Sequence, residues 1–163
     1  IRIGHLNHSE LVVRHLGDIQ QVTLASPQYL EKYGTPKSLN DLKQHFMVGF
    51  YSTARQKTLP LEFLVNDQWK MYDLASFIQV NGAHSYSAAA EQGFGIIQVP
   101  RYGHIKEIEN GQLRQILKQY QAPFLPVSLL YPSKTLVTPR QRAFIEWIVQ
   151  LFKDHPLKEV KSF

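Results

Sequence analysis

The chain has 163 residues, of which 44% are hydrophobic and 19% are charged, so it is long enough for one core or two small lobes and is not expected to be disordered. It has no apolar run near the roughly 20 residues that a membrane helix needs, and its start, IRIGHLNHSE, lacks the basic and apolar regions of an export signal. The absence of cysteine excludes disulfides and thiolate metal sites. We therefore expect a cytoplasmic protein that does not associate with membranes. Because the first residue is Ile, we also expect a longer gene product.

The formal net charge of +5 suggests a polyanionic partner at first sight. The Lys and Arg residues are scattered, however, and the densest cluster, Lys153 to Lys161, is interrupted by Asp154 and Glu159. A nucleic-acid surface typically shows a basic stripe interleaved with aromatic residues. We therefore expect a basic solvated surface here rather than a DNA-binding face.

Strand and helix signals alternate in the first third of the chain. IRIGHL and IQQVTLAS have the composition of strands, the first ending at Gly4. Ser26 as N-cap, Pro27 at the first helical position and Gly34 as stop predict a helix between them. The SLND pattern predicts a second short helix that runs through His45, and FMVGFY is the next predicted strand.

The middle of the chain is rich in strand signals. LEFLVNDQWKMYDL predicts a hairpin around Asn66–Gln68, and SFIQVN extends the sheet. We expect Asn81 to cap a helix across Ser85 to Gln92, which ends at Gly93 before a buried strand, GIIQV.

The last third contains the clearest helix. YGHIKEIENG predicts a helix closed at Gly111, and QLRQIL and PVSLLY predict strands. Thr138 then caps and Pro139 opens a helix whose apolar residues share one face at helical spacing. That predicted face consists of Phe144, Trp147, Ile148, Leu151 and Phe152.

Strands separated by helices indicate an α/β fold with a largely parallel sheet. The hairpin interrupts this regularity and suggests two lobes, with the chain passing between them more than once.

Catalytic and metal motifs are absent from the sequence. There is no Gly-x-Ser-x-Gly, P-loop, dinucleotide fingerprint or His-Glu-x-x-His, and no pair of carboxylates is suited to acid/base work. The histidines are expected to be exposed polar side chains, since the HLNH pair has no third ligand nearby. We therefore predict no catalytic residues, no metal site, no cofactor and no enzymatic activity.

The ordered set of segments resembles the effector-binding domain of LysR-type transcriptional regulators almost end to end. The resemblance rests on IRIGHL, SELVVRHLG, VTLASPQYLEKYGTPKSLNDLKQH, AAAEQGFGIIQVP, ENGQLRQIL and VSLLYPSKTLVTPRQRAFIEWI. It implies a periplasmic-binding-protein-like fold of two α/β lobes joined by two crossing strands, VTLASP and PVSLLYP. Lobe I then comprises residues 1–25 and 127–163, and lobe II comprises residues 26–126.

The chain departs from the family pattern at its beginning. Family domains have a further strand-helix-strand-helix stretch before the IRIG strand, so the first lobe is incomplete here. The winged helix-turn-helix that binds DNA in the family lies further upstream, and we expect DNA contact only through it. The resemblance also implies a homodimer or tetramer.

The resemblance suggests a structural role for the stretch SYSAAAEQGFGIIQVP. Small Ala88 to Ala90 let a helix lie close to the sheet, Gly93 and Gly95 allow a tight return, and the strand then ends at a crevice. The N-terminus of that helix favours an anion, which suggests a carboxylate effector. The predicted ligand-binding residues are Gly4 and His5 on one wall of the cleft, and Tyr51, Ser52, Asn81, Gly82, His84, Val99 and Pro100 on the other.

Two other functions share this scaffold. An exported periplasmic solute-binding protein has the same fold but needs a signal peptide upstream. An enzyme is disfavoured because the sequence offers no activated nucleophile and no acid/base pair.

Overall fold

The structure is a computed structural model that describes residues 1–4, 11–53, 55–132 and 137–154. The chain forms two compact units, which are unit 1 (Ile1–Gln20 with Phe124–Phe163) and unit 2 (Gln21–Pro123). The predicted lobe boundaries lie a few residues later in the chain, after Ala25 and after Pro126. No helix within the described ranges is both long and apolar enough to span a bilayer.

Unit 1 is a small antiparallel sheet with one helix. Its strands are β1 (Arg2–Ile3), the first part of β2 (Val12–Ala25) and β10 (Phe124–Tyr131), with β10 between the other two. The helix α4 (Pro139–Asp154) packs against this sheet through buried Ile145 and Ile148, which lie with Leu129 in one apolar cluster.

The start of α4 is as predicted, but its apolar stripe is not. Thr138 N–H donates to Gln141 Oε1 over 2.9 Å, and Gln141 N–H donates to Thr138 Oγ1 over 3.3 Å, which is a reciprocal capping box. The core-facing residues are Ile145, Ile148 and Phe152. The prediction was wrong for three members of the stripe, because their positions are turned away from the core; exposed are Phe144, Trp147 and Leu151.

Unit 2 holds the remaining elements. Between the second part of β2 and β10 it contains α1 (Pro27–Tyr33), a 3-10 helix (Asp41–Gln44), β3 (Gly49–Ser52), β4 (Lys57–Leu59), β5 (Leu61–Val65), β6 (Gln68–Tyr72), β7 (Gln79–Val80), α2 (Ala83–Glu91), β8 (Ile97–Pro100), a second 3-10 helix (Arg101–His104), α3 (Ile105–Glu109) and β9 (Arg114–Gln115).

The expectation of a largely parallel sheet was wrong. Among the described ladders only β3 and β7 run parallel, whereas β8 and β9 pair antiparallel with β2, β4 pairs antiparallel with β3, and β5 pairs antiparallel with β6. Isolated parallel bridges join Phe46 to Ala75 and Met47 to Ile96. The reason is that β2 runs against its neighbours and that short hairpins supply the other pairs.

Most of the local turn chemistry is as predicted. Ser26 Oγ accepts from Tyr29 N–H over 3.3 Å, and Gly34 ends α1 with φ of 83°. The hairpin turn consists of Asn66 and Asp67, with φ of 50° and 58°, so both residues adopt the left-handed conformation that a tight two-residue hairpin turn requires. These contacts confirm the first helix and the hairpin.

The SLND segment forms part of its predicted capping pattern and a shorter helix than predicted, which ends at Gln44 before His45. The helix begins only at Asp41 and is a single 3-10 turn, without a side-chain cap at Asn40. The Asp41 carboxylate accepts from the backbone N–H of Ser38 (2.9 Å), as the capping pattern predicts, and also from that of Lys37 (2.8 Å). Those hydrogen bonds fold the preceding turn and hold the pKa of Asp41 below its usual value.

The N-cap of α2 lies one residue later in the chain than predicted. Its N-cap is Gly82, which has no side chain, so Asn81 does not cap the helix, contrary to prediction. Ala89 and Ala90 of α2 are buried in the core of unit 2, as expected of small residues at a close contact, while Ala88 is exposed.

Candidate functional site

The parallel pair in unit 2 brings several predicted ligand-binding residues to one edge. Phe50 of β3 lies opposite Val80 of β7 in a parallel register. β7 ends at Val80, and β3 continues only through Tyr51 and Ser52, so Tyr51, Ser52 and Asn81 lie at the same carboxyl edge. Ligands bind at such edges in open α/β sheets, because the loops there are free to present polar groups.

The segment that leads into β8 runs in the same direction as β3. Met47 and Ile96 form a parallel bridge, and Ile96 N–H donates to Phe46 O over 2.9 Å. Pro100, at the end of β8, therefore lies toward the same edge. Val99 is only 4% exposed and packs in the core of unit 2, so its side chain is not available to a ligand.

The N-terminus of α2 begins at this edge with uncapped backbone groups. Gly82 O accepts from Tyr86 N–H over 3.0 Å, and no described side chain accepts from the first turn. The first turn contains no acidic residue. His84 is exposed, and its imidazole makes no hydrogen bond with any described residue. This end of the helix is therefore a positive and accessible position.

Two side chains on the β3 end of the edge combine apolar and polar surface. Tyr51 is 38% exposed, which leaves much of its ring accessible. Ser52 is half-buried, and its Oγ accepts from Arg55 N–H over 3.3 Å. Because that contact uses a lone pair, the Ser52 hydroxyl proton stays available for another acceptor.

The two residues predicted for the opposite wall cannot be grouped with these. Gly4 belongs to unit 1, where its N–H donates to Pro126 O over 2.9 Å and its φ is 99°. His5 lies outside the described residues.

A hydroxyl–imidazole pair next to this edge was missed by the sequence analysis. Ser87 Oγ lies 2.6 Å from His104 Nε2, and His104 Nδ1 lies 3.1 Å from Pro100 O. A carbonyl oxygen only accepts, so we assign the imidazole proton to Nδ1. Ser87 Oγ also lies 3.2 Å from Ala83 O, and we assign its one proton to the nearer acceptor, Nε2. The pair ties α2 to the turn after β8. Because 17 residues separate its members, no local pattern reveals it.

A second imidazole, His45, is buried rather than exposed as predicted. It is 7% exposed, and its Nδ1 lies 3.0 Å from Tyr29 Oη, which also accepts from Phe46 N–H over 2.8 Å. Burial lowers the pKa of His45, and nearby Asp41 opposes the shift more weakly. The pair belongs to the core and not to the candidate site.

Tyr86 is a residue of α2 that is buried in the core of unit 2, and it stays neutral. Burial raises its pKa to about 12, and its Oη accepts from Gln98 N–H over 3.3 Å. Over the described part of the chain, no three His, Asp or Glu side chains are grouped in a way that could hold a metal ion.

Comparisons with known proteins agree with this architecture. The family model described as LysR substrate binding domain matches residues 1–153. The HTH-type transcriptional regulator YhjC of Escherichia coli is 33% identical over 159 residues, which cover 95% of this chain and 52% of YhjC. The HTH-type transcriptional regulator CrgA of Neisseria meningitidis is 28% identical over 151 residues, which cover 92% of this chain and 50% of CrgA. The chain spans about half the length of the curated relatives it matches.

Solved structures give the same result for the fold. The CrgA regulatory domain, from a LysR-type transcriptional regulator, matches with a TM-score of 0.71 and 26% identity over 93% of this chain and 76% of that domain. Full-length AphB of Vibrio cholerae, a virulence activator, matches with a TM-score of 0.75 and 23% identity over 93% of this chain and 50% of AphB. The fold is thus the α/β, periplasmic-binding-protein-like fold of these regulatory domains. The chain belongs to the LysR substrate-binding domain family, a family of transcriptional-regulator domains.

Proposed function

We propose that this chain senses a small anionic effector and thereby controls DNA binding by a winged helix-turn-helix that lies outside it. Family membership and the regulator names of the relatives support this role over that of an exported solute-binding protein. The observation that carries the proposal is the parallel register of Phe50 with Val80, because it assembles polar and aromatic residues beside the uncapped start of α2.

The preference for an anion follows from the start of α2. Free backbone N–H groups and the helix dipole stabilise negative charge within the first turn. Gly82 has no side chain to fill the space in front of these groups, so a carboxylate can approach the backbone closely. A protonated His84 adds positive charge at the same position.

The other residues at this edge contact the effector in different ways in this proposal. The Ser52 hydroxyl and the His84 imidazole orient the effector through hydrogen bonds, and the Tyr51 ring supplies apolar contact. Asn81 and Pro100 lie beside these residues in the proposed site, and Val99 contributes only backbone, because its side chain is buried.

A thermal-shift screen of small carboxylates followed by calorimetric titration tests the effector site. Loss of one hydrogen bond to a charged group should weaken binding by roughly 1.5 to 3 kcal/mol, more than tenfold, in Ser52→Ala and in His84→Ala. Lys70→Ala, on the exposed strand β6, is the matched control and should bind like the parent. If both site variants bind like the parent, the effector site lies elsewhere.

Two further measurements test the regulatory role. The chain alone should bind duplex DNA weakly and without sequence preference, since its basic residues are scattered. Tight binding to one sequence in a mobility-shift assay at physiological salt would place DNA recognition within this chain. We also propose that the domains pair as homodimers or tetramers in the intact regulator, which light scattering measures directly.

A further inference from the structure

The chain contains two Asn-Gly dipeptides, Asn81–Gly82 and Asn110–Gly111. Such a dipeptide is chemically labile, because glycine has no Cβ to shield its backbone nitrogen from the carboxamide of the preceding asparagine. In a folded protein the reaction also requires that the carboxamide and the nitrogen are free to approach each other. The surroundings of the two dipeptides therefore decide which of them reacts.

Three hydrogen bonds restrain the Asn110–Gly111 dipeptide. Asn110 Nδ2 donates to Gln112 Oε1 over 2.6 Å, and Asn110 Oδ1 accepts from Gln112 N–H over 3.0 Å, so both polar atoms of the carboxamide have partners. Gly111 N–H donates to Ile108 O over 3.3 Å. Because both reacting groups are held, this turn must open before they can react.

The Asn81–Gly82 dipeptide lacks these restraints within the described part of the chain. Asn81 is exposed, and neither its carboxamide nor the Gly82 N–H has a hydrogen-bond partner among the described residues. The dipeptide joins β7 to α2, so it lies between two regular elements and not inside either of them. Its carboxamide and nitrogen can therefore approach each other without the loss of a hydrogen bond.

We propose that Asn81–Gly82 is a site of spontaneous covalent modification, at which the Asn81 carboxamide becomes a carboxylate. The Gly82 nitrogen gives its proton to water and attacks Asn81 Cγ, and the new C–N bond closes a five-membered succinimide ring. The Cγ–Nδ2 bond breaks as the amide nitrogen takes up a proton and leaves as ammonia. Water then opens the ring, which leaves aspartate when the bond to Cγ breaks and isoaspartate when the bond to the backbone carbonyl carbon breaks.

The modification changes the start of α2 in two ways. It places a negative charge directly before Gly82, the N-cap of the helix. Isoaspartate also routes the main chain through Cβ, which lengthens the connection between Val80 and Gly82 by one carbon. The new charge lies where the anionic effector is proposed to bind, so it should compete with the effector for the helix N-terminus. This last consequence rests on the proposed function, whereas the reaction itself does not.

Peptide mapping of aged protein tests the proposal. Trypsin cleaves after Lys and Arg, so it releases Asn81 and Asn110 in separate peptides, residues 71–101 and 107–114. The 163-residue chain is incubated at mildly alkaline pH, and mass spectrometry follows the conversion of each carboxamide with time. In the folded chain Asn81 should convert at least roughly threefold faster than Asn110, and in denaturing urea the two rates should agree within about twofold, because unfolding removes the restraints on Asn110.

Gly82→Ala is the control for the mechanism. Gly82 has φ of −113° and ψ of 140°, which alanine adopts without strain, and outside the chain neighbours its Cβ would meet only Ser85 Oγ, at 3.7 Å. The variant should keep the circular dichroism spectrum of the parent, and its Asn81 should convert roughly tenfold more slowly, because Cβ shields the attacking nitrogen.

Three results overturn the proposal. The first is a smaller difference between Asn81 and Asn110 in the folded chain than the one expected. The second is a difference of the same size in urea, which would assign it to the neighbouring residues in the sequence and not to the fold. The third is unchanged conversion of Asn81 in Gly82→Ala, which would exclude attack by the nitrogen of residue 82.

Discussion

The side-chain amide of Gln98 pairs with both backbone polar groups of Glu62. Glu62 N–H donates to Gln98 Oε1 over 3.0 Å, and Gln98 Nε2 donates to Glu62 O over 2.9 Å. Gln98 Nε2 also lies 3.3 Å from Thr23 Oγ1. One side chain thus replaces a neighbouring strand along the edge of β5 and joins the hairpin to β8 and β2.

Replacing Gln98 by Leu should destabilise the protein by about 1 to 3 kcal/mol, because the N–H and C=O of Glu62 lose their partners in a partly buried position. Urea unfolding measures the loss. Gln68→Leu, at the exposed start of β6, is the control and should change stability by no more than about 0.5 kcal/mol. Equal effects of the two substitutions would mean that the edge of β5 does not depend on Gln98.

Substitution of the cap residue of α1 and of the predicted cap residue of α2 should have different effects on stability. Ser26→Ala should cost about 1 kcal/mol, since Ser26 Oγ accepts from Tyr29 N–H at the start of α1. Asn81→Ala should leave the melting temperature nearly unchanged, because Gly82 and not Asn81 is the N-cap of α2. A loss at Asn81 as large as that at Ser26 would restore the sequence-based prediction of a cap.

Stability should decrease as the solution is acidified from neutral pH. Burial holds the pKa of His45 below its ordinary value of 6.5, so the unfolded chain takes up a proton there that the folded chain resists. The contribution is complete above pH 6.5 and is lost as the pH falls toward the lowered pKa of the folded state. Urea midpoints between about pH 5 and pH 8 should show this slope.

His45→Gln tests the origin of that slope. The variant should be less stable, because the contact with Tyr29 Oη changes, but its stability should vary less over the same pH range. Asp41 keeps its charge there, since its pKa lies below its ordinary value of 3.8. His84→Gln removes an exposed imidazole and should keep the slope of the parent. An unaltered slope in His45→Gln would assign the effect to another group.

Local chemistry was predictable from the sequence because its partners are close in the chain. The caps at Ser26 and Thr138 and the Asn66–Asp67 turn each depend on residues within one turn. Helical spacing likewise gave the period of α4, but it could not tell which side of Trp147 the core would cover, since that depends on the sheet beneath.

The grouping of some candidate residues was predictable for a different reason, which is strand direction. Strands ending in the same direction meet at one edge, which groups Tyr51 with Asn81. Val99 is buried, and Ser87 contacts His104, because segments distant in the chain pack together. Residue spacing within one segment cannot predict such contacts.

Gly95 should tolerate no side chain, which accounts for the second of the two glycines that follow the alanines of α2. A Cβ at Gly95 would lie 2.6 Å from the carbonyl carbon of Met47 and 2.8 Å from Val48 N. These are backbone atoms of a segment held by its own parallel bridge to Ile96, so they cannot move aside as a flexible side chain can. Gly95→Ala should therefore cost about 3 kcal/mol, at the upper end of ordinary overpacking, measured by urea unfolding.

The matched control for Gly95 is Gly103. A Cβ there would meet nothing within 4 Å, and Gly103 lies in the 3-10 helix after β8. Gly103→Ala should change stability by less than about 0.5 kcal/mol, because only the backbone freedom of the unfolded chain is reduced. If Gly95→Ala is as well tolerated as Gly103→Ala, the segments of Met47 and Ile96 are not in close contact, and the edge that carries Tyr51 and Pro100 is not built as described.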